Sequence, residues 1–298
     1  MRKQIGLLMP VILFFIILSC KSNSESRLLK FNLEKGKSYD YDMAMNMDQE
    51  VMDQKNKIGF TAGYTINVID DNGTIKTLDV TYKDLKMNMS MMGQEIIIDA
   101  SQKADTNSHD PMQMMKNVFS GIVGKKFTMK VTPEGKIEEI TGFAEIINSM
   151  VDSMSANSDV KNMISQSLKD QFNPERIKEA FAPMFSVYPK KEVGVGDKWS
   201  NSYDLSTQGM KINSECTVKS FQGDNVVIGV SSKIIPLEGN ENPSLAGMKM
   251  SGTQTGTMTV NTRTGLVVEG ELDQNLETSG SMKMKMISKT KMRGTERS

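Results

Sequence analysis

The sequence contains almost no cysteine or histidine and few aromatic side chains. Two cysteines, one histidine and one tryptophan occur among 298 residues, and aromatic residues make up 6% of the chain. Such scarcity excludes the usual Cys/His zinc patterns and Cys–His catalysis. A Ser-His-Asp triad would depend on His109, which lies in a polar stretch typical of a solvated side chain, and no Gly-x-Ser-x-Gly elbow occurs. We therefore expect no enzyme, cofactor or metal site. A hydrolytic site built from Asp/Glu pairs on separate strands is the remaining alternative.

An excess of charge of one sign is also missing. The 36 basic residues are balanced by 36 acidic residues. Nucleic-acid binding requires a basic stripe or patch, which this sequence lacks. No nucleic-acid partner is therefore expected.

The N-terminus carries the one long apolar run, and it is too short to span a bilayer. Ile5 to Leu18 is interrupted by Pro10, whereas a transmembrane helix needs about 20 apolar residues. Arg2 and Lys3 precede the run. A basic head followed by a short apolar segment is typical of a secretory signal peptide, predicted here over residues 1–19.

The first cysteine follows this segment directly. Ile17-Leu18-Ser19-Cys20 resembles a bacterial lipobox, which implies cleavage before Cys20 and acylation of its thiol. Two acyl chains would give a stable membrane anchor. Residues 20–28 form the lipidated cysteine and its tether, and Lys21 favours an outer-membrane lipoprotein of the cell envelope. The sequence leaves open which face of that membrane the protein occupies, and an ordinary signal peptide with a chance cysteine is the alternative.

The second cysteine has no disulfide partner once Cys20 is lipidated. Cys216 alternates with apolar Ile212 and Val218 along a predicted strand. This pattern predicts a small buried side chain, and a reactive thiol is the less favoured interpretation.

Hydrophobic periodicity predicts a β-rich α+β protein. Strand-like alternation occupies residues 29–141 and 189–298, and helical periodicity occupies residues 142–188. We expect two antiparallel halves that form a curved sheet, half-barrel or sandwich, joined and covered by the central helical segment.

Local signals predict several element boundaries. Asp70-Asp71-Asn72-Gly73 is a hairpin turn, and Asp110-Pro111 and Asn173-Pro174 begin helices. Leu29, Phe31 and Leu33 predict an opening strand. The last predicted strands are Met248–Asn261 and a stretch from Leu266 to Met292 in which no turn is predicted. Gly194-Val195-Gly196 is predicted to be a turn that starts a strand and buries Trp199.

The order of turns and strands in the second half echoes that in the first. Internal duplication is one interpretation of this echo, and a shared hairpin pattern is the other. The matching pairs are Gly36–Tyr39 with Gly196–Trp199, Asp70–Thr74 with Gln222–Val226, and Phe127–Gly135 with Thr257–Gly265.

Methionine is abundant, with 26 residues, and alternation places three groups of methionines on one face of a sheet. Packing in a core is the favoured interpretation. A lining for an apolar small molecule or lipid is an alternative, because flexible thioethers adapt to varied shapes. A Cu(I) site built from Met-x-Met repeats is a lesser alternative. The candidate lining residues are Met43, Met45, Met47, Met87, Met89, Met91, Met282, Met284 and Met286.

Three stretches carry a resemblance to a known family. They are Gly124–Lys136, Tyr188–Trp199 and Gly252–Gly265. They resemble an uncharacterised domain-of-unknown-function family of secreted lipoproteins from Bacteroidota-like bacteria. The resemblance implies a lipoprotein address and supplies no catalytic residues.

Overall fold

A computed structural model describes residues 25–91, 94–102, 111–152, 158–239, 248–280 and 283–297. The predicted signal peptide and Cys20 lie outside these ranges, as do His109 and Met282.

The described residues form strands flanking a central group of helices. The strands are β1 Ser26–Arg27, β2 Ser38–Val51, β3 Gln54–Asp71, β4 Lys76–Met91, β5 Gln94–Asp99, β6 Lys126–Val131, β7 Ile137–Thr141, β8 Val193–Gly194, β9 Lys198–Leu205, β10 Met210–Gln222, β11 Asn225–Pro236, β12 Met248–Asn261, β13 Val267–Gly280 and β14 Met284–Glu296. The helices are α1 Pro111–Ile122, α2 Phe143–Asp152, α3 Ser158–Gln171 and α4 Pro174–Phe185, and a 3-10 turn spans Ser206–Gln208.

One antiparallel 12-stranded sheet contains strands from both halves of the chain, which confirms the predicted fold class. Its order is β7-β6-β4-β3-β2-β14-β13-β12-β11-β10-β9, and β5 pairs with β4. The halves meet where β2 pairs with β14 from Met284↔Val51 to Glu296↔Tyr39. The first long strand of the chain therefore lies beside the last one.

The sheet curls around helix α4. This helix contacts both edge strands, β7 and β9, although a flat sheet of this order would separate them by about 50 Å. A helix is only about 10 Å in diameter. Phe181 of α4 also packs against Tyr64 and Phe127, at ring-centroid distances of 5.2 and 5.8 Å. The apolar face is therefore concave, with the helices lying in it.

The main core fills the end of the concave face where β2 begins and β14 ends. Tyr39, Leu78 and Phe127 are at most 1% exposed there. Phe127 also lies 4.9 Å from Phe143 of α2. We call this end the turn end, because the turns at Gly36, Gly73, Gly135, Gly196, Gly223 and Gly265 lie there, and we call the opposite end the methionine end.

Predicted helix starts are confirmed. Helix α1 begins at Pro111 and helix α4 begins at Pro174. Asn173 caps α4, because its Oδ1 accepts a hydrogen bond from the Arg176 backbone N–H at 2.9 Å. Among the described residues, no helix is both long and apolar enough to cross a membrane.

The predicted opening strand is wrong. Leu29, Phe31 and Leu33 are at most 2% exposed, but their segment does not belong to a strand. Its backbone N–H groups bind turns instead of a neighbouring strand: Phe31 donates to the Pro133 carbonyl and Asn32 to the Thr264 carbonyl, both at 2.8 Å. Alternation correctly predicted which side chains are buried and missed where the backbone hydrogen bonds go.

Two other predictions need correction. Trp199 packs against the main core but is half-buried, because β9 is an edge strand. The stretch from Leu266 to Met292 is a hairpin, since β13 and β14 pair antiparallel.

The same backbone hydrogen bonds precede β2 and β9, an arrangement that internal duplication and a shared hairpin pattern both predict. Before β2, the Gly36 N–H donates to the Val68 carbonyl at 2.8 Å, and the Val68 N–H donates to Lys37 at 3.0 Å. Before β9, Gly196 donates to Val218 at 2.9 Å, and Val218 donates to Asp197 at 3.0 Å. Both hairpins also carry a β-bulge just after the valine.

The two halves also exchange contacts at the turn end. The turn at Gly135 of the first half lies against the Phe185 carbonyl, and the turn at Gly265 of the second half lies against the Lys30 carbonyl. Strand β1, which lies within the predicted tether, pairs with β8 of the second half. Each half is therefore completed by the segment that leads into the other half.

Candidate functional site

Most of the candidate methionines occupy concave-face positions on three strands of the sheet. Met43, Met45 and Met47 lie on β2, Met87 and Met89 lie on β4, and Met284 and Met286 lie on β14. Met91 belongs to β4, but its side chain lies outside the described part, as does all of Met282.

Strand register arranges the concave face in rows. Directly opposed residues give a middle row from β9 to β5: Asn201, Ser214, Ser232, Gln254, Gln274, Ser288, Met47, Ile58, Met89 and Ile96. The next row toward the turn end is Trp199, Cys216, Val230, Gly256, Leu272, Thr290, Met45, Phe60, Met87 and Ile98. We call the apolar group Met45, Met47, Ile58, Phe60, Met87 and Met89 the methionine strip.

The side chains of the methionine strip are half-buried, unlike those of the main core. Met45, Met47, Met87 and Met89 belong to neither of the two buried hydrophobic clusters, whereas neighbouring Ile98 is completely buried. The other methionines border those clusters, because Met43 packs against the main core and Met286 packs against the second. The strip therefore presents apolar surface that the described helices only partly cover.

The thioethers can contact apolar groups and accept weak hydrogen bonds. Met284 already accepts one from the Gln49 side-chain amide at 2.9 Å. Within the described ranges, no group of three His, Cys, Asp or Glu side chains could hold a metal ion. The chemistry that this surface offers best is adaptable apolar contact.

A polar part of the concave face was missed by sequence reasoning. Ser214, Ser232, Gln254, Gln274 and Ser288 occupy consecutive strands of the middle row, from β10 to β14, and we call them the polar row. Ser214 and Ser232 are joined by a hydroxyl–hydroxyl hydrogen bond of 2.8 Å. The available signal was a polar residue within apolar alternation, as at Gln254 between Met250 and Met258. Only the register reveals that these residues are neighbours.

Cys216 lies one row from this polar group and is 1% exposed, which confirms the predicted burial. Burial raises the pKa of its thiol to about 12, with a smaller contribution from the Glu215 charge. The thiol therefore stays protonated at neutral pH and is a poor nucleophile.

The convex face carries a separate depression of about 440 Å³. Its floor is Gly59, which Asn46 and Asn88 flank on neighbouring strands. Asp48, Lys57 and Glu95 surround it. Exposed Ile97 and the strip residues Met47, Ile58 and Met89 also line it, so its lining is both polar and apolar.

The chain belongs to the family of unknown function DUF6263, whose model matches residues 73–267 of the 298. This confirms the resemblance to a domain-of-unknown-function family. A comparison with curated proteins finds no significant match.

Similarity to solved structures is remote. An outer-membrane channel from Pseudomonas putida F1 is 7% identical, with 89% of this chain and 97% of that chain covered and a TM-score of 0.23. The β domain of the Bordetella autotransporter BrkA is 6% identical, with 86% and 99% covered and a TM-score of 0.29. OpdQ from Pseudomonas aeruginosa is 7% identical, with 89% and 100% covered and a TM-score of 0.24. At these scores the likeness carries no functional argument.

Proposed function

We propose that this protein is a lipoprotein of the cell envelope that binds an apolar ligand on its methionine strip and catalyses no reaction. The observation that carries the proposal is the half-buried strip beside a fully packed core. A sheet face used only for packing would be covered, because leaving apolar side chains in water forfeits about 25 cal/mol for each Å². A pocket for a lipid or another apolar molecule needs such a surface.

The anchor belongs to the same proposal. The lipobox-like segment before Cys20 supports acylation and attachment to the outer membrane, with the membrane as the first partner. A non-enzymatic role is supported by the scarcity of histidine and by the burial of the Cys216 thiol, which leave few nucleophile and base pairs.

Binding of a fluorescent alkyl probe to the folded full-length Cys20→Ala chain tests the proposal. We expect saturable binding that Met47→Lys and Met89→Lys abolish, because a charge on the strip cannot be desolvated against an apolar ligand. The control is Asp48→Lys, which places the same charge on the opposite face of β2.

Thermal unfolding distinguishes a ligand surface from a packed core. If the strip is open, Met47→Lys should cost less stability than the 3–5 kcal/mol of a disrupted core site. A large loss of stability without any probe binding by the wild type would contradict the proposal and leave packing as the role of the methionines.

Copper retention tests the alternative of Cu(I) binding. The wild type and a variant with leucine at positions 45, 47, 87 and 89 are compared after dialysis with Cu(I) under reducing conditions. Equal retention would exclude a site built from the methionine strip.

A further inference from the structure

The polar row borders the methionine strip directly. Ser288, the last member of the polar row, lies opposite Met47 of the strip in the register of β14 and β2. Gln274 follows Ser288 on the next strand. A ligand lying along the strip therefore meets hydroxyl and amide groups at one end.

The glutamines of the polar row retain hydrogen-bonding capacity. Gln254 accepts a hydrogen bond from Ser232, and Gln274 accepts one from Ser288, each at 3.4 Å. These are the only side-chain hydrogen bonds of the two amides within the described ranges. A side-chain amide can donate two hydrogen bonds and accept two, so each glutamine can donate to a further acceptor.

The members of the polar row differ in access. Four members are at most 9% exposed: Ser214, Ser232, Gln254 and Ser288. A cavity of about 10 Å³ beside Ser214 and Gln254 is also lined by Pro183 and Ser186 near the end of α4. Such a cavity holds no more than one water molecule. Gln274, nearer the methionine strip, is half-buried, and its amide is the group a ligand on the strip can reach.

Charge is absent from this part of the concave face. Every residue of the two rows given above is uncharged, and the next row toward the methionine end is uncharged as well. Burial raises the pKa of Tyr203 in that row, so its hydroxyl remains neutral. That row consists of Tyr203, Ile212, Ile234, Gly252, Leu276, Met286, Gln49 and Asn56.

We infer that the ligand is a neutral acyl ester or acyl amide whose carbonyl oxygen accepts a hydrogen bond from the Gln274 amide while its acyl chain lies on the methionine strip. A buried carboxylate or phosphate requires a cation or several donors to offset its desolvation, and these rows provide no cation. The amide N–H donors of Gln274 suit a carbonyl acceptor, whereas a plain hydrocarbon would offer these donors no acceptor. This inference rests on the proposed apolar-ligand function.

Three probes with the same fluorophore and the same chain length test the inference on the full-length Cys20→Ala chain. They are a monoacylglycerol, a fatty acid carried as its carboxylate at pH 8, and an alkane. We expect the monoacylglycerol to bind about 3- to 10-fold more tightly than the alkane, as one hydrogen bond provides, and the fatty acid to bind most weakly.

Gln274→Leu removes the amide and should reduce monoacylglycerol affinity to that of the alkane without changing alkane affinity. Asn275→Leu is the matched control, since Asn275 is the next residue of β13, is exposed and points to the convex face. Gln274→Met keeps a long unbranched side chain and replaces Gln274→Leu if that variant unfolds. A role of Gln274 in packing alone would shift the affinity of all three probes together.

The outcomes separate the two proposals. If no probe binds the wild type, both the apolar-ligand function and this inference fail. If all three bind equally, or if the fatty acid binds most tightly, the function stands and the inference is overturned. Unchanged selectivity in both Gln274 variants would also overturn it.

Discussion

At the scale of single residues, two glycines show how the exchanged contacts constrain the sequence. Gly265 has a φ of +72°, and a Cβ at this position would lie 2.0 Å from the Lys30 carbonyl oxygen. Gly223 has a φ of +60°, with nothing within 4 Å of the position of a Cβ. Both positions require a left-handed backbone, but only at Gly265 would a side chain also collide with a neighbouring segment.

Gly265→Ala should therefore destabilise the protein much more than Gly223→Ala. A left-handed alanine costs of order 1 kcal/mol, and displacing the segment at Lys30 should add several kcal/mol of lost packing around Phe31. Urea denaturation measures both variants. Equal losses of unfolding free energy would show that the contact at Lys30 contributes little.

The Cys216 thiol predicts a dependence of stability on alkaline pH. Its pKa rises from an ordinary value of 9.0 to about 12 in the folded protein, so between these values the unfolded chain loses the proton while the folded chain keeps it. The free energy of unfolding should therefore decrease by up to about 1.4 kcal/mol per pH unit above pH 9.

Cys216→Ala isolates this contribution from that of the buried tyrosines. Its stability relative to wild type should improve between pH 9 and pH 11. A difference between the two proteins that stays constant over this range would contradict the prediction.

At the scale of elements, helix α4 is attached to the sheet edge by a buried carboxylate. Glu179 is 8% exposed, accepts a hydrogen bond from the Thr207 backbone N–H at 2.8 Å, and also accepts one from the Thr207 hydroxyl. Thr207 lies in the 3-10 turn after β9. The contact fixes α4 to the edge strand that it covers.

Glu179→Ala should cost about 1.5–3 kcal/mol, as expected for lost hydrogen bonds to a charged group. Glu175→Ala, on the same helix at an exposed position, is the control and should change stability by less than about 0.5 kcal/mol. Hydrogen exchange should show faster opening of α4 in the first variant alone. Unchanged exchange in Glu179→Ala would contradict the attachment.

Local elements were largely predictable from the sequence, because periodicity and capping are local properties. Strand β12 was predicted with both its bounds, and helices α1 and α4 begin at their predicted prolines. The pairing of β2 with β14 was not predictable, because its two strands are more than 200 residues apart in the sequence. The polar row was missed for the same reason, since its neighbours are defined by register across strands and not by spacing within one.

At the scale of the whole molecule, the N-terminal side of the described chain lies at the turn end. Strand β1 is at the turn end, where Arg27 lies 5.5 Å over the ring of Phe221. The proposed anchor would therefore enter the fold at the turn end, whereas β2 extends about 45 Å away from that end.

Cys20→Ala tests the anchor itself. We expect the variant to lose palmitate labelling and to leave the membrane fraction, because no other segment provides two acyl chains. Cys216→Ala is the control and should keep both properties. Labelling that persists in Cys20→Ala would show that the lipid is attached elsewhere.

The position of β14 beside β2 has a consequence for how the protein is made. The sheet cannot be completed until the last strand has been synthesised, because β2 is otherwise an edge without its partner. Long-range pairing of this kind also slows folding. Under the proposed envelope function, a chain that finishes folding late would stay unfolded for longer, which suits passage through a secretion channel before the sheet closes on the far side of the membrane.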